Sequence, residues 1–249
     1  MYEKKLGKRT RNLFDPGSKE PFKLSRSRLE NFMRCPRCFY LDRRLGVEQP
    51  PGYPFNLNSA VDHLLKKEFD IHRAEGVAHP LMKHYGIDAV PYQHDDLNIW
   101  RENFKGVSFY HAPTNFTFSG AVDDVWVNPA GELRVVDYKA TSKDAEVTLD
   151  ADWQDGYKRQ MEIYQWLLRA NKFKVSNTGY FVYANGKRDR EAFDGKLEFD
   201  VKIIPYEGSD TWVEKALTDA RECLSGELPP MNDECEYCVY RSIAREVEA

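Results

Sequence analysis

No apolar run in this sequence approaches the ~18 residues that a membrane-spanning helix requires, so no membrane partner is expected. No internal repeat and no low-complexity tract occurs. The N-terminal MYEKKLGKRTRNLF is basic but lacks the apolar h-region of a secretory signal, which predicts a soluble, cytoplasmic protein. A basic excess is also missing: 36 Lys and Arg stand against 40 Asp and Glu, a formal charge of -4. That balance argues against a dedicated nucleic-acid binder. Cysteine is sparse, at five in 249 residues.

What is present describes a folded enzyme-sized chain. Hydrophobic residues make up 41% and aromatics 13%, too many for a disordered chain, and the length suffices to bury a core. The charge is unevenly placed, with thirteen Lys and Arg against five Asp and Glu in residues 1–44. Residues 1–21 read as a basic, loosely ordered lead-in, and 22–249 as one domain. LSRSRLENFMR from Leu24, CFYLDRRLGV, SAVDHLLKKEFDIHRAEG, the long 150–173 segment and DTWVEKALTDARECLSGE have helical periodicity. FTFSGAVDDVWV, ELRVVDYKA, NTGYFVYAN and KLEFDVKIIPY read as strands, and 76–115 as irregular structure with short helices. This order predicts an α/β or α+β fold with a mixed central sheet flanked by helices.

Between the first two strands, Pro129-Ala130-Gly131 fits a three-residue hairpin loop that ends on a left-handed glycine. The resulting register sets Asp123 opposite Asp137, with side chains ~4.5–5.5 Å apart at Cβ, and places Lys139 on the same face. Like charges at that range repel, and a hard divalent cation relieves them; an exposed acidic pair neutralised by Lys139 is the alternative. Asp124 points to the other face. On the later helix, Gln160 and Tyr164 are one turn apart on one side. On the earlier one, Asp62 lies at the margin of the Val61, Leu65 and Phe69 stripe, whereas His63 faces away with Lys66, Lys67 and Asp70. Asp62 is thus the better third acidic ligand. Four of the cysteines form two C-x-x-C pairs, Cys35 with Cys38 and Cys235 with Cys238, which in this context favour metal or cluster binding over disulfides. Cys223 sits in a helical apolar pattern and reads as core.

Taken in order, SRLENFMRCPRCFY, GAVDDVW, VVDYKA, QMEIY and CEYCVY resemble the PD-(D/E)XK nuclease superfamily, in particular its RecB-like and CRISPR-associated exonuclease branch. The resemblance implies a restriction-endonuclease-like core and a DNA substrate. It implies that Asp123 and Asp137 hold Mg²⁺ or Mn²⁺ with the Tyr138 carbonyl, and that Lys139 positions or activates the attacking water. Gln160 and Tyr164 match the branch's Q-x-x-x-Y element. Asp62 falls where many relatives carry a histidine. The cysteines resemble those of the branch's iron–sulfur members, although Ala244 stands where a further cysteine would fall and Cys38 must complete the set. A [4Fe–4S] cluster clasping the two ends of the chain is therefore expected, with tetrahedral Zn²⁺ as the alternative. The function implied is metal-dependent, exonuclease-like hydrolysis of DNA phosphodiesters, with helicase, recombination or CRISPR-adaptation proteins as partners. The rival is a nucleic-acid-binding module that keeps the fold and cleaves poorly.

Overall fold

The computed structural model describes residues 8–248, so the first seven residues of the basic lead-in lie outside the described residues. The chain runs through β1 (Phe22–Ser25), α1 (Arg26–Arg34), α2 (Pro36–Arg43), α3 (Asn56–Glu75), α4 (Pro80–His84), β2 (Val90–Pro91), α5 (Leu97–Trp100) and β3 (Val107–His111). It continues through β4 (Phe116–Gly120), β5 (Asp124–Val127), β6 (Leu133–Thr141), α6 (Asp155–Ala170), β7 (Thr178–Gly186), β8 (Phe199–Glu207), α7 (Val213–Ser225) and α8 (Glu236–Glu248). The result is a mixed α/β fold with two sheets flanked by helices. No helix among the described residues is long and apolar enough to cross a membrane.

Two compact units divide these elements. One comprises Pro54–Ser108 and Gly120–Asp210; the other comprises the described residues up to Tyr53, Phe109–Ser119 and those from Thr211 on. The first unit carries a five-stranded sheet in the order β2-β5-β6-β7-β8, in which only β6 and β7 run parallel. A parallel pair needs a long crossover, and α6 supplies it. Leu65 and Phe69 of α3 pack with Trp126, Val136, Tyr138, Tyr180 and Val182 on one face of the sheet. Gln160 of α6 lies against the opposite face, bonded to Asp137 of β6. Period-two alternation along β6 therefore sends Val136 and Tyr138 to α3, and Asp137 and Lys139 to α6.

The second unit is built on a three-stranded sheet in the order β1-β4-β3. Here the expectation of helix from Leu24 is corrected. Phe22 and Leu24 alternate inward and pair in parallel with Phe116 and Phe118, so the helix starts only at Arg26. Buried aromatic contacts override the helical spacing of the following residues. Likewise FTFSGAVDDVWV is not one strand: it breaks at 121–123 and its halves join different sheets. The C-terminal segment EYCVYRSIAREVE, expected only as a cysteine-bearing tail, forms α8.

The arginines of the basic front are largely used internally. Asp42 is buried and gathers Arg9, Arg28 at 3.0 Å and Arg43 at 2.8 Å; Arg28 also reaches Glu48 at 2.7 Å. Arg44 donates to the Phe14 carbonyl at 2.7 Å, and Arg34 pairs with Glu30. A buried carboxylate must be matched by charge or hydrogen bonds, and these residues match Asp42.

The same rule explains Asp124, which is 0% exposed. It accepts from Arg73 of α3, from Arg101 at 3.1 Å and from the Tyr138 hydroxyl at 2.7 Å, and Asp70 holds both guanidiniums from the far side. Removing one partner of such a group strands the others. Asp124→Ala is expected to lower unfolding free energy by about 3–5 kcal/mol, measured by urea denaturation; a loss below about 1 kcal/mol would show the network to be dispensable.

Candidate functional site

The loop between β5 and β6 takes the expected form. Gly131 has φ 72° and its N–H donates to the Asn128 carbonyl at 2.9 Å, while Asn128 N donates to Glu132 O at 3.1 Å. The ladder pairs Val127 with Leu133 and Asp124 with Val136. One step further along this register Asp123 stands opposite Asp137, just beyond the end of β5. Asp123 Oδ2 accepts from the Tyr138 N–H at 3.1 Å, so the hairpin backbone itself orients that carboxylate.

Three elements, β6, α3 and α6, then converge on the two acids. Asp137 is 0% exposed; its Oδ1 accepts from Gln160 Nε2 at 2.8 Å, and the same nitrogen lies 3.0 Å from the Tyr164 hydroxyl. Its Oδ2 has the Lys139 ammonium as a close counter-ion but no well-directed hydrogen-bond donor. Lys139 also lies over the Tyr157 ring, 4.6 Å from its centroid. From α3, Lys66 Nζ bridges Asp62 Oδ2 and Asp123 Oδ1, each at 2.9 Å. Asn58 ties the start of α3 to the strand by donating to the Ala140 carbonyl at 2.9 Å. Asp62, Asp123, Asp137, Lys139, Gln160 and Tyr164 are thus brought together, while the Tyr138 phenol points away to Asp124.

Lys66 corrects the helical-wheel reading, which set it on the far side with His63. Its four-carbon stem lets the ammonium reach back one turn, from the flank of α3 to the acids. The signal was present in the i,i+4 spacing from Asp62, but a wheel projects Cβ directions and ignores the reach of a long side chain.

The electrostatics follow from burial. Burial first, and then the charge of Asp123, push the Asp137 carboxyl up to about 7, against the pull of Lys139. Burial and Asp123 likewise raise Asp62. Burial also disfavours charge on Asp123, yet Lys66 and Lys139 outweigh it and hold this carboxyl below the usual range. For Lys139, burial alone would favour the neutral amine, but Asp137 and Asp123 raise its pKa. Three acids therefore share two ammonium ions. The oxygen-rich donor set, with three carboxyl groups gathered around Lys66 and Lys139, suits a hard divalent cation.

A separate group is formed by Cys35, Cys38, Cys235 and Cys238, whose sulfurs lie within 4.8 Å of one another and can hold a metal. Cys35–Cys238 and Cys38–Cys235 are 3.7 Å apart, and Cys38–Cys238 3.8 Å. Both pairs sit where a helix begins. Cys35 is the N-cap of α2 and accepts from the Cys38 N–H at 3.4 Å, and Cys235 directly precedes α8. Free backbone N–H groups and the positive end of the helix dipole stabilise thiolates there. Burial pushes the Cys35 and Cys38 thiols up. Burial also opposes ionisation of Cys235, but donation from the Cys238 N–H and the neighbouring thiols holds it below its usual value. Cys223 stands apart, its Sγ 3.8 Å from the Pro36 carbonyl.

Lys66→Met removes the ammonium that links Asp62 to Asp123 and leaves their repulsion unrelieved. The variant is expected to melt below wild type in divalent-free buffer and to gain more in melting temperature on adding Mn²⁺. An equal gain in both proteins would show that Lys66 does not compete with a cation.

Comparison with known proteins bears on this geometry. A search of curated proteins found no match. Among solved structures the chain resembles the crystal structure of SSO0001, at 19% identity and TM-score 0.38 over 91% of this chain and 87% of that one, an overlap too low to bear on its chemistry. The family model of the PD-(D/E)XK nuclease superfamily matches residues 59–243, a span that holds Asp62, Asp123, Asp137, Lys139, Gln160 and Tyr164 together with Cys235 and Cys238. The chain belongs to the PD-(D/E)XK nuclease superfamily.

Proposed function

We propose that this protein is a Mg²⁺- or Mn²⁺-dependent deoxyribonuclease of the RecB-like, CRISPR-associated exonuclease branch, which processes DNA in repair, recombination or a related pathway. The observation that carries this reading is the meeting of Asp123, Asp137 and Lys139 at one end of the hairpin, with Gln160 and Tyr164 behind them. The Q-x-x-x-Y match supports this branch, and Gln160 fixes Asp137 Oδ1 while Oδ2 faces the Lys139 ammonium.

When bound, a divalent ion supplies a Lewis acid for the phosphate and a water of lowered pKa. Asp123 and Asp137 would hold it, with Asp62 as a third carboxylate and the Tyr138 carbonyl as a further oxygen. Lys139 keeps its proton next to Asp137 and so presents an ammonium, positioned to orient the attacking water and to stabilise negative charge that develops on the phosphate. Tyr164 orients Gln160, and Gln160 in turn orients Asp137.

For the cysteine group we propose structural zinc in preference to the expected [4Fe–4S] cluster. Zn–S bonds of about 2.3 Å in a regular tetrahedron set the sulfur–sulfur edges at about 3.8 Å; three of the six edges here are 3.7–3.8 Å, and all four sulfurs lie within 4.8 Å of one another. A four-iron cube puts an iron beneath each thiolate and sulfides between the irons, and so needs its four sulfurs further apart.

Two measurements test these readings. On labelled single- and double-stranded DNA with Mg²⁺ or Mn²⁺, the wild type is expected to cleave, and Asp137→Ala or Lys139→Ala to lose at least about a hundredfold in rate. No cleavage by the wild type, or unchanged cleavage by both variants, would refute the nuclease assignment. Metal analysis of anaerobically purified protein is expected to find one zinc per chain, lost in Cys38→Ser, with no visible iron–sulfur band; stoichiometric iron would refute the zinc assignment.

A further inference from the structure

We propose that the face of α8 flanking the cysteine group is a binding site for the phosphodiester backbone of a nucleic-acid strand, with Arg241 and Arg245 as its recognition residues. Beside the cysteine group lies an open cavity of about 390 Å³, lined by Arg37, Met231, Cys238, Arg241, Ser242, Arg245 and Glu246. Cys238, Arg241, Ser242 and Arg245 fall at successive spacings of three, one and three, which puts them on one side of the helix. The inference rests on the nuclease reading for the kind of ligand, and on the cavity for its place.

Arginines in this unit are ordinarily spent on partners: Arg9, Arg28 and Arg43 on Asp42, Arg34 on Glu30, and Arg44 on a backbone carbonyl. Arg37 at the cavity is anchored too, donating to the Pro229 carbonyl at 2.7 Å. Among the described residues, Arg241 and Arg245 have no acid within ion-pair distance, although Glu246 lines the same cavity. Gathering cations without neutralising them costs energy unless an anion joins them. Guanidinium forks suit phosphate oxygens, which they bind with two N–H groups. Ser242 adds a hydroxyl, and Met231 an apolar surface for sugar or base.

An acidic protein segment would satisfy the same charges, and the arginines would also act as counter-charges if they served only the thiolates. Fluorescence anisotropy separates these uses. Binding of a short labelled DNA oligonucleotide is measured against salt in the Asp137→Ala background without added Mg²⁺ or Mn²⁺, so the readout is independent of cleavage. Adding Arg241→Ala and Arg245→Ala is expected to weaken binding roughly tenfold and to make the log–log salt slope shallower by about 1.4, from two lost phosphate contacts on a single strand. Arg241→Lys with Arg245→Lys should retain most of the slope. An unchanged slope in the alanine variant would overturn the proposal, as would unchanged binding accompanied by faster zinc loss. On the unmutated chain, the oligonucleotide should protect both arginines from an arginine-specific dicarbonyl reagent, read by mass spectrometry. Protection by polyglutamate but not by the oligonucleotide would overturn the proposal in favour of an acidic partner.

Discussion

Like charge held at close range is the constraint on which the site depends. The hairpin register brings Asp123 and Asp137 together, and the Tyr138 N–H and Gln160 pin one oxygen of each. The protein meets the repulsion with two lysines, Lys66 from α3 and Lys139 from the strand itself. Three carboxyl groups thus face two ammonium ions. A solvated surface would gain nothing from such an arrangement.

The strand's alternation gives neighbouring residues different roles. Asp123 faces Asp137, Lys66 and Lys139. Asp124, one residue on, turns to the opposite face and anchors Arg73, Arg101 and the Tyr138 hydroxyl. Tyr138 joins the two faces: its N–H serves Asp123 and its phenol serves Asp124. Displacement of the hairpin by one residue would exchange these roles, burying Asp123 among the arginines and breaking both clusters at once. The ion network around Asp124 therefore fixes the register on which the facing acids depend.

Much of this was legible in the sequence because it is local. The three-residue loop at Pro129-Ala130-Gly131 sets the register that the Asp124 network then holds, and the register determines which aspartates face each other. Gln160 and Tyr164 are a single helical turn apart. The cysteine pairs and their meeting across the chain were expected, and the structure brings residues 197 to 203 positions apart together. What was not legible depends on tertiary contact or on side-chain reach. Leu24 became strand because Phe118 was there to pair with it, as Phe116 pairs with Phe22. Lys66 reached the acids along its flexible stem. Of the front arginines, Arg9, Arg28 and Arg43 are held around Asp42. The formal charge of -4 concealed all of this, since a sum records neither which acids meet nor which bases are already paired.

The most direct test of the metal-site reading is anomalous diffraction at the manganese edge from crystals soaked in Mn²⁺. That reading predicts a peak in contact with carboxylate oxygens of both Asp123 and Asp137, with Lys66 withdrawn from its bridge to Asp123. A map with no peak there at saturating Mn²⁺, and with the Lys66 bridge intact, would contradict it.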